Sequence, residues 1–182
     1  MGKAKLFKRY PVRNIVVYNA TTVVHFLCGG LMLSGARSLM GTTANVVGLL
    51  YVLMSLIEMY ILMPFQVCRN CVYSGMENGL CISGLNIVAR RLSPKGNTSD
   101  FPNRAQGLFC PNNLYISSLL FPVLCGIPIV ILNFSVTLLA LELCLVILLF
   151  ARFAFIIPKL ACVHCMSKFI CPQAGLMGVR EK

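Results

Sequence analysis

Two apolar blocks constrain this chain more than any other feature: residues 12–65, interrupted by a polar stretch from Ser34 to Asn45, and the nearly unbroken run from Leu114 to Pro158. A helix needs about 20 residues to cross roughly 30 Å of hydrocarbon at about 1.5 Å per residue. Each block is therefore long enough for two crossings and too long for one. Spans are expected at 13–34, 44–64, 114–134 and 137–157, with the last turn near Asn133 and Ser135. The composition fits lipid as the main solvent, with 58% apolar residues, 12% charged residues and a mean hydropathy of +0.81. β-barrel strands would alternate over about ten residues, and these blocks do not. A cleaved signal peptide is not expected, because the first apolar run is too long for an h-region and no A-x-A-like site follows it.

Basic residues set the expected orientation. They gather in the N-terminal tail (Lys3, Lys5, Lys8, Arg9, Arg13), the central loop (Arg69, Arg90, Arg91, Lys95, Arg104) and the C-terminal tail (Lys159, Lys168, Arg180, Lys182). Only Arg37 and Arg152 lie elsewhere. The positive-inside rule then puts both termini and the central loop in the cytoplasm. The net charge of +11 is accordingly a topology signal and an attraction to anionic lipid. No aromatic-interleaved basic face suggests a nucleic-acid partner.

The second span ends in Pro64-Phe-Gln-Val-Cys68-Arg-Asn-Cys71 and the fourth in Pro158-Lys-Leu-Ala-Cys162-Val-His-Cys165, both P-x3-C-x2-C. A third cysteine follows each, Cys81 and Cys171, and then a glycine, Gly84 and Gly175. The expected fold is an all-α membrane protein: a four-transmembrane-helix bundle of two pseudo-twofold-related hairpins under a cytoplasmic cysteine-rich cap. Its parts are a basic tail (1–12), a first hairpin (13–64), a cysteine-containing loop with an interfacial helix (65–113), a second hairpin (114–158) and a cysteine-containing tail (159–182). In this register Glu58 precedes Cys68 by the same interval as Arg152 precedes Cys162. Because an unpaired ion at that depth is costly, the two are expected to meet as a helix-to-helix clamp.

Of the ten cysteines, Cys28, Cys125 and Cys144 lie within spans and read as small packing residues. The rest map to the cytoplasmic side, a reducing compartment that favours metal over disulfide. Two C-x2-C pairs brought together supply the four thiolates that zinc prefers, so Cys68, Cys71, Cys162 and Cys165 form the expected site. Cys81, Cys110, Cys171 and His164 are a candidate second set. An iron-sulfur cluster uses the same ligand type, and Cys110-Pro111 and Cys171-Pro172 resemble the C-P that closes ferredoxin motifs. However, neither C-x2-C-x9-C nor C-x2-C-x5-C is the compact ferredoxin run. Juxtamembrane acylation is a further alternative. Thiol oxidoreductases that reduce quinone also combine four spans with C-x-x-C pairs, but their reactive cysteines face the oxidising side.

The segment from Ile82 to Leu92 places apolar residues on one helical face and reads as a helix in the membrane interface. Ser93 to Asn113 reads as irregular loop, rich in Pro, Gly, Asn and Ser. His25, beside Cys28, Gly29 and Gly30, is either a functional group or a backbone hydrogen-bonder at a close helix contact. Glu142 has no sequence partner and lies near the kinks that Pro122 and Pro128 would put in the third span. There is no P-loop, no G-x-G-x-x-G and little cytoplasmic mass for chemistry. The expected function is a small non-catalytic membrane subunit, alone as a homo-oligomer or joined to other subunits, whose metal-stabilised face docks a larger complex. The alternatives are an iron-sulfur electron-transfer subunit and a proton-coupled transporter using Glu142 and His25.

Overall fold

A computed structural model describes residues 4–104 and 110–180. It is helical throughout, with no strand among the described residues beyond an isolated parallel bridge between Arg9 and Leu80. Four helices are long and apolar enough to cross a membrane: Val12–Ser34, Thr43–Asn70, Pro111–Leu132 and Val136–His164. The expected four spans are present, and the third begins at Pro111, where Cys110 caps it by accepting the Asn113 N–H on Sγ. Residues 105–109 of the expected irregular loop, and Lys3 and Lys182 of the basic tails, lie outside the described residues.

The first span is the hub, packing on the second, third and fourth, while the third also packs on the fourth and meets the second near Glu58. The second and fourth spans share no comparable contact among the described residues. Helices in lipid gain little from burying apolar surface, so they approach where side chains are small. At the first crossing, a Cβ on Gly30 would sit 3.0 Å from the Gly48 carbonyl oxygen, and one on Gly48 would strike the Gly30 carbonyl. A Cβ on Gly29 would lie 2.8 Å from the Tyr51 ring and 2.9 Å from Pro122. Two apolar clusters fill the interior. One holds Met32, Leu33, Ala44, Ile129, Leu138 and Leu145. In the other, Phe26 meets the Tyr51 and Tyr115 rings edge-on at centroid distances of 6.3 and 6.4 Å. Outward residues such as Ile131, Val136 and Ile147 stay exposed, as a lipid-facing surface requires.

Prolines in the spans leave carbonyls without intrahelical donors, and in lipid these need partners. Pro122 removes the N–H that the Ser118 carbonyl would have received, and the Tyr51 hydroxyl donates to that oxygen at 2.8 Å. His25 Nε2 donates to the adjacent Leu119 carbonyl at 2.9 Å, which assigns this buried histidine the backbone-bonding role. Tyr51→Phe should therefore destabilise the protein by about 1–2 kcal/mol, the cost of stranding a buried acceptor. Thermal unfolding in detergent measures it, and an unchanged midpoint would refute the role. Pro158 falls inside the π-helical stretch Arg152–Ala161, and Pro64 lies in the α-helical turn Met63–Gln66 that follows the π-helical stretch Glu58–Leu62.

The short helix after Cys81 runs Leu85–Leu92, entered through Gly84 in the left-handed region (φ 73°). It buries Leu85, Asn86 and Ala89 against the end of the second span, leaving Ile87 and Leu92 exposed. Asn86 is drawn inward because its side chain bonds the Cys81 N–H and the Tyr73 and Gly79 carbonyls.

Candidate functional site

The end of the bundle at which the first span begins gathers the two C-x2-C segments, here termed the tail face. After the second span, Cys68–Asn70 makes a 3-10 turn in which the Cys71 N–H bonds the Cys68 carbonyl at 3.1 Å. After the fourth, Cys162–His164 makes the same turn, with Cys165 bonded to Cys162 at 3.1 Å. The backbone path is close in both: φ, ψ of −107°, −53° at Val67 against −98°, −70° at Ala161, and −73°, 149° at Cys71 against −77°, 132° at Cys165. Glu58 and Arg152 each open the π-helical stretch that precedes these turns.

The N-terminal tail joins the two segments. Tyr10, 1% exposed, donates its N–H to the Leu80 carbonyl and its hydroxyl to the Ala161 carbonyl, near the end of the fourth span. The Phe7 N–H bonds the His164 carbonyl at 2.9 Å, and the Tyr73 hydroxyl donates to the Phe7 carbonyl at 2.6 Å. His164 is held by this tail. Its ring stacks on Phe7 with centroids 4.5 Å apart, and Nδ1 donates to the Lys5 carbonyl at 2.7 Å.

Cys68, Cys71 and Cys81 lie close enough for their charges to interact, as do Cys162, Cys165 and Cys171. Cys71 links the sets, interacting with both Cys165 and Cys171. Burial first, with Cys81 and Cys171 adding, pushes the Cys71 thiol up to about 11, although a 3.0 Å hydrogen bond with the Ser167 hydroxyl pulls the other way. Burial, then Cys71, Cys162 and Cys171, pushes Cys165 up as well. These thiols are protonated near neutrality without a cation beside them. All ten cysteines are free thiols. Among the described residues, no three His, Cys, Asp or Glu side chains converge tightly enough to hold a metal ion. Cys110 stands apart as the cap of the third span.

The expected Glu58–Arg152 pair is not formed, because the second and fourth spans flank the first and third instead of touching. Arg152, 2% exposed, lays its guanidinium over the Tyr18 and Tyr115 rings at 4.6 and 5.2 Å. Nη1 reaches the Thr21 hydroxyl at 3.4 Å, and Nε and Nη2 have no hydrogen-bond partner. Cation-π attraction to aromatic faces, which strengthens when desolvated, takes the place of an acid. Glu58 lies against the Ser118 hydroxyl, with Oε1 unpartnered. Glu142 is buried where Gly126 leaves room for its carboxyl, and neither of its oxygens has a partner. Tyr10, Tyr73 and Ser167 are the site residues that sequence reasoning missed. The tyrosines carried a signal in principle, as hydroxylated aromatics beside the cysteine segments. The chain matches no protein-family model, no curated protein and no solved structure.

Proposed function

We propose that this chain is a small, non-catalytic integral membrane subunit whose two cysteine segments bind zinc and whose basic tail face docks a larger membrane complex. The observation that carries the reading is the meeting of the two C-x2-C segments around Tyr10 and Tyr73, with free thiols on both sides. Cys68, Cys71, Cys162 and Cys165 are the proposed ligands, and Cys81 and Cys171 are near enough to replace members of the set. Soft thiolates in a tetrahedral set select zinc, which would lower the thiol pKa values and deprotonate its ligands. The metal would tie the ends of the second and fourth spans, which among the described residues share no contact comparable to those of the first span.

The near-identical turns at Cys68 and Cys162 support a duplicated hairpin. Glu58 and Arg152, equivalent in the cysteine register, each face a span of the other hairpin, at Ser118 and Tyr18. The positive-inside rule places the tail face in the cytoplasm. There, the exposed cations of the tail and loop would meet anionic lipid or an acidic partner.

Native electrophoresis of mildly solubilised membranes tests the docking role. The chain should migrate in an assembly larger than itself, and chelation, or Cys68→Ser with Cys162→Ser, should release it. Migration as a lone chain, or an assembly indifferent to chelation and to both substitutions, contradicts the reading.

A further inference from the structure

Between the second and third spans the bundle opens sideways into a cleft of about 360 Å³, far from the cysteine segments in character and lined chiefly by apolar side chains. Its polar lining is Tyr51, Ser55, Glu58, Ser117 and Ser118, and one wall is flat, the Tyr51 and Phe121 rings stacking at 6.1 Å and 28°. The Tyr51 hydroxyl is spent on the Ser118 carbonyl and the Ser118 hydroxyl on the Tyr115 carbonyl. Glu58 is different: its side chain is 9% exposed and lines the cleft, and Oε1 has no hydrogen-bond partner. An orphan acceptor away from water is costly, and a donor brought into the cleft would relieve that cost.

That arrangement specifies a ligand. It must arrive through lipid, because the cleft opens within the span region. It must bring a hydrogen-bond donor for Glu58. It carries no phosphate, since no Lys, Arg or His lines the cleft and a carboxyl stands at its base. The volume suits one ring and the start of a chain, near the lower end of small-molecule sites, and the aromatic wall favours a flat head. We propose that this cleft binds, from within the membrane, one uncharged ring-headed lipid bearing a hydroxyl, of the quinol class. The hydroxyl donates to Glu58, and the ring lies on Tyr51 and Phe121. The inference concerns binding alone and does not depend on metal at the tail face.

The test uses the purified full chain in nanodiscs of phosphatidylcholine, with a short-chain quinol kept reduced and bound ligand measured by equilibrium dialysis. Saturable binding is expected, weakened at least about tenfold when both hydroxyls are methylated, as loss of a hydrogen bond to a carboxylate implies, and less by Glu58→Gln, whose amide oxygen is a weaker acceptor. Ser117→Phe fills the cleft from an exposed position, so it should abolish saturable binding while leaving the melting temperature unchanged. This keeps the test decisive should Glu58→Gln fail to fold. No saturable binding, equal binding of quinol and its dimethyl ether, unaltered binding by Ser117→Phe, or a linear alcohol binding as well as the quinol would each overturn the proposal.

Discussion

Gly48→Leu is expected to cost about 3 kcal/mol or more, enough to unfold much of the protein at temperatures the parent survives. The first and second spans cross with their backbones almost in touch: the Gly30 carbonyl and the Ser34 hydroxyl occupy the space a side chain on Gly48 would need. A flexible tip could move aside, but a helix backbone can only retreat as a whole, and retreat would also separate Gly29 from Tyr51 and Pro122. In a soluble protein, apolar burial would offset part of the loss. In lipid, close packing is the main attraction between helices, and a wider crossing forfeits it. Gly48→Ala should show a smaller loss of the same sign, whereas any loss in Gly41→Ala comes from its left-handed backbone (φ 60°) and not from crowding, since nothing lies within 4 Å of its Cβ position. Thermal unfolding in detergent reads all three. A parent-like midpoint for Gly48→Leu would mean the crossing is not this close.

Tyr10→Ala is expected to cost about 3–5 kcal/mol, the usual price of truncating a buried aromatic. Tyr10 is fully enclosed, meets Phe7 edge-on at 5.4 Å and Tyr73 at 6.2 Å, and bonds Leu80 on one side and Ala161 on the other. Its removal therefore opens a cavity and also uncouples the two cysteine segments. Tyr10→Phe separates these effects. It keeps the packing and strands only the Ala161 carbonyl, a loss of about 1–3 kcal/mol. Accompanying the large loss, thiol alkylation at Cys165 should become faster in Tyr10→Ala, because Cys165 lies beside Tyr10. Unchanged alkylation and stability would remove Tyr10 from its central position.

The four spans were legible because hydrocarbon thickness imposes a length that apolar runs of this kind meet, and the turn at Asn133–Ser135 falls where expected. Their placement at the ends of alternate spans put both cysteine segments at the same end of the bundle, where the Cys71 thiol and the Ser167 hydroxyl meet at 3.0 Å. Side-chain partners were less legible. Register put Glu58 and Arg152 at matching depths, but depth does not reveal which helices touch, and the hub role of the first span sends each charge to a different helix. Arg152 found aromatic faces that local sequence could not connect, since Tyr18 and Tyr115 are distant in the chain. The Pro122 carbonyl effect was expected near Glu142, whereas the structure directs it to Tyr51. Tyr10 was hidden within a tail whose lysines and arginines suggested only charge.

Elemental analysis of the purified protein together with its visible spectrum, repeated on Cys68→Ser and Cys162→Ser, tests the proposed zinc tie most directly. About one zinc per chain, no colour, and metal lost from both variants is the expected result for a tetrathiolate shared between the two segments. Iron with sulfide and a brown absorbance, zinc retained in either variant, or no metal at all would contradict it.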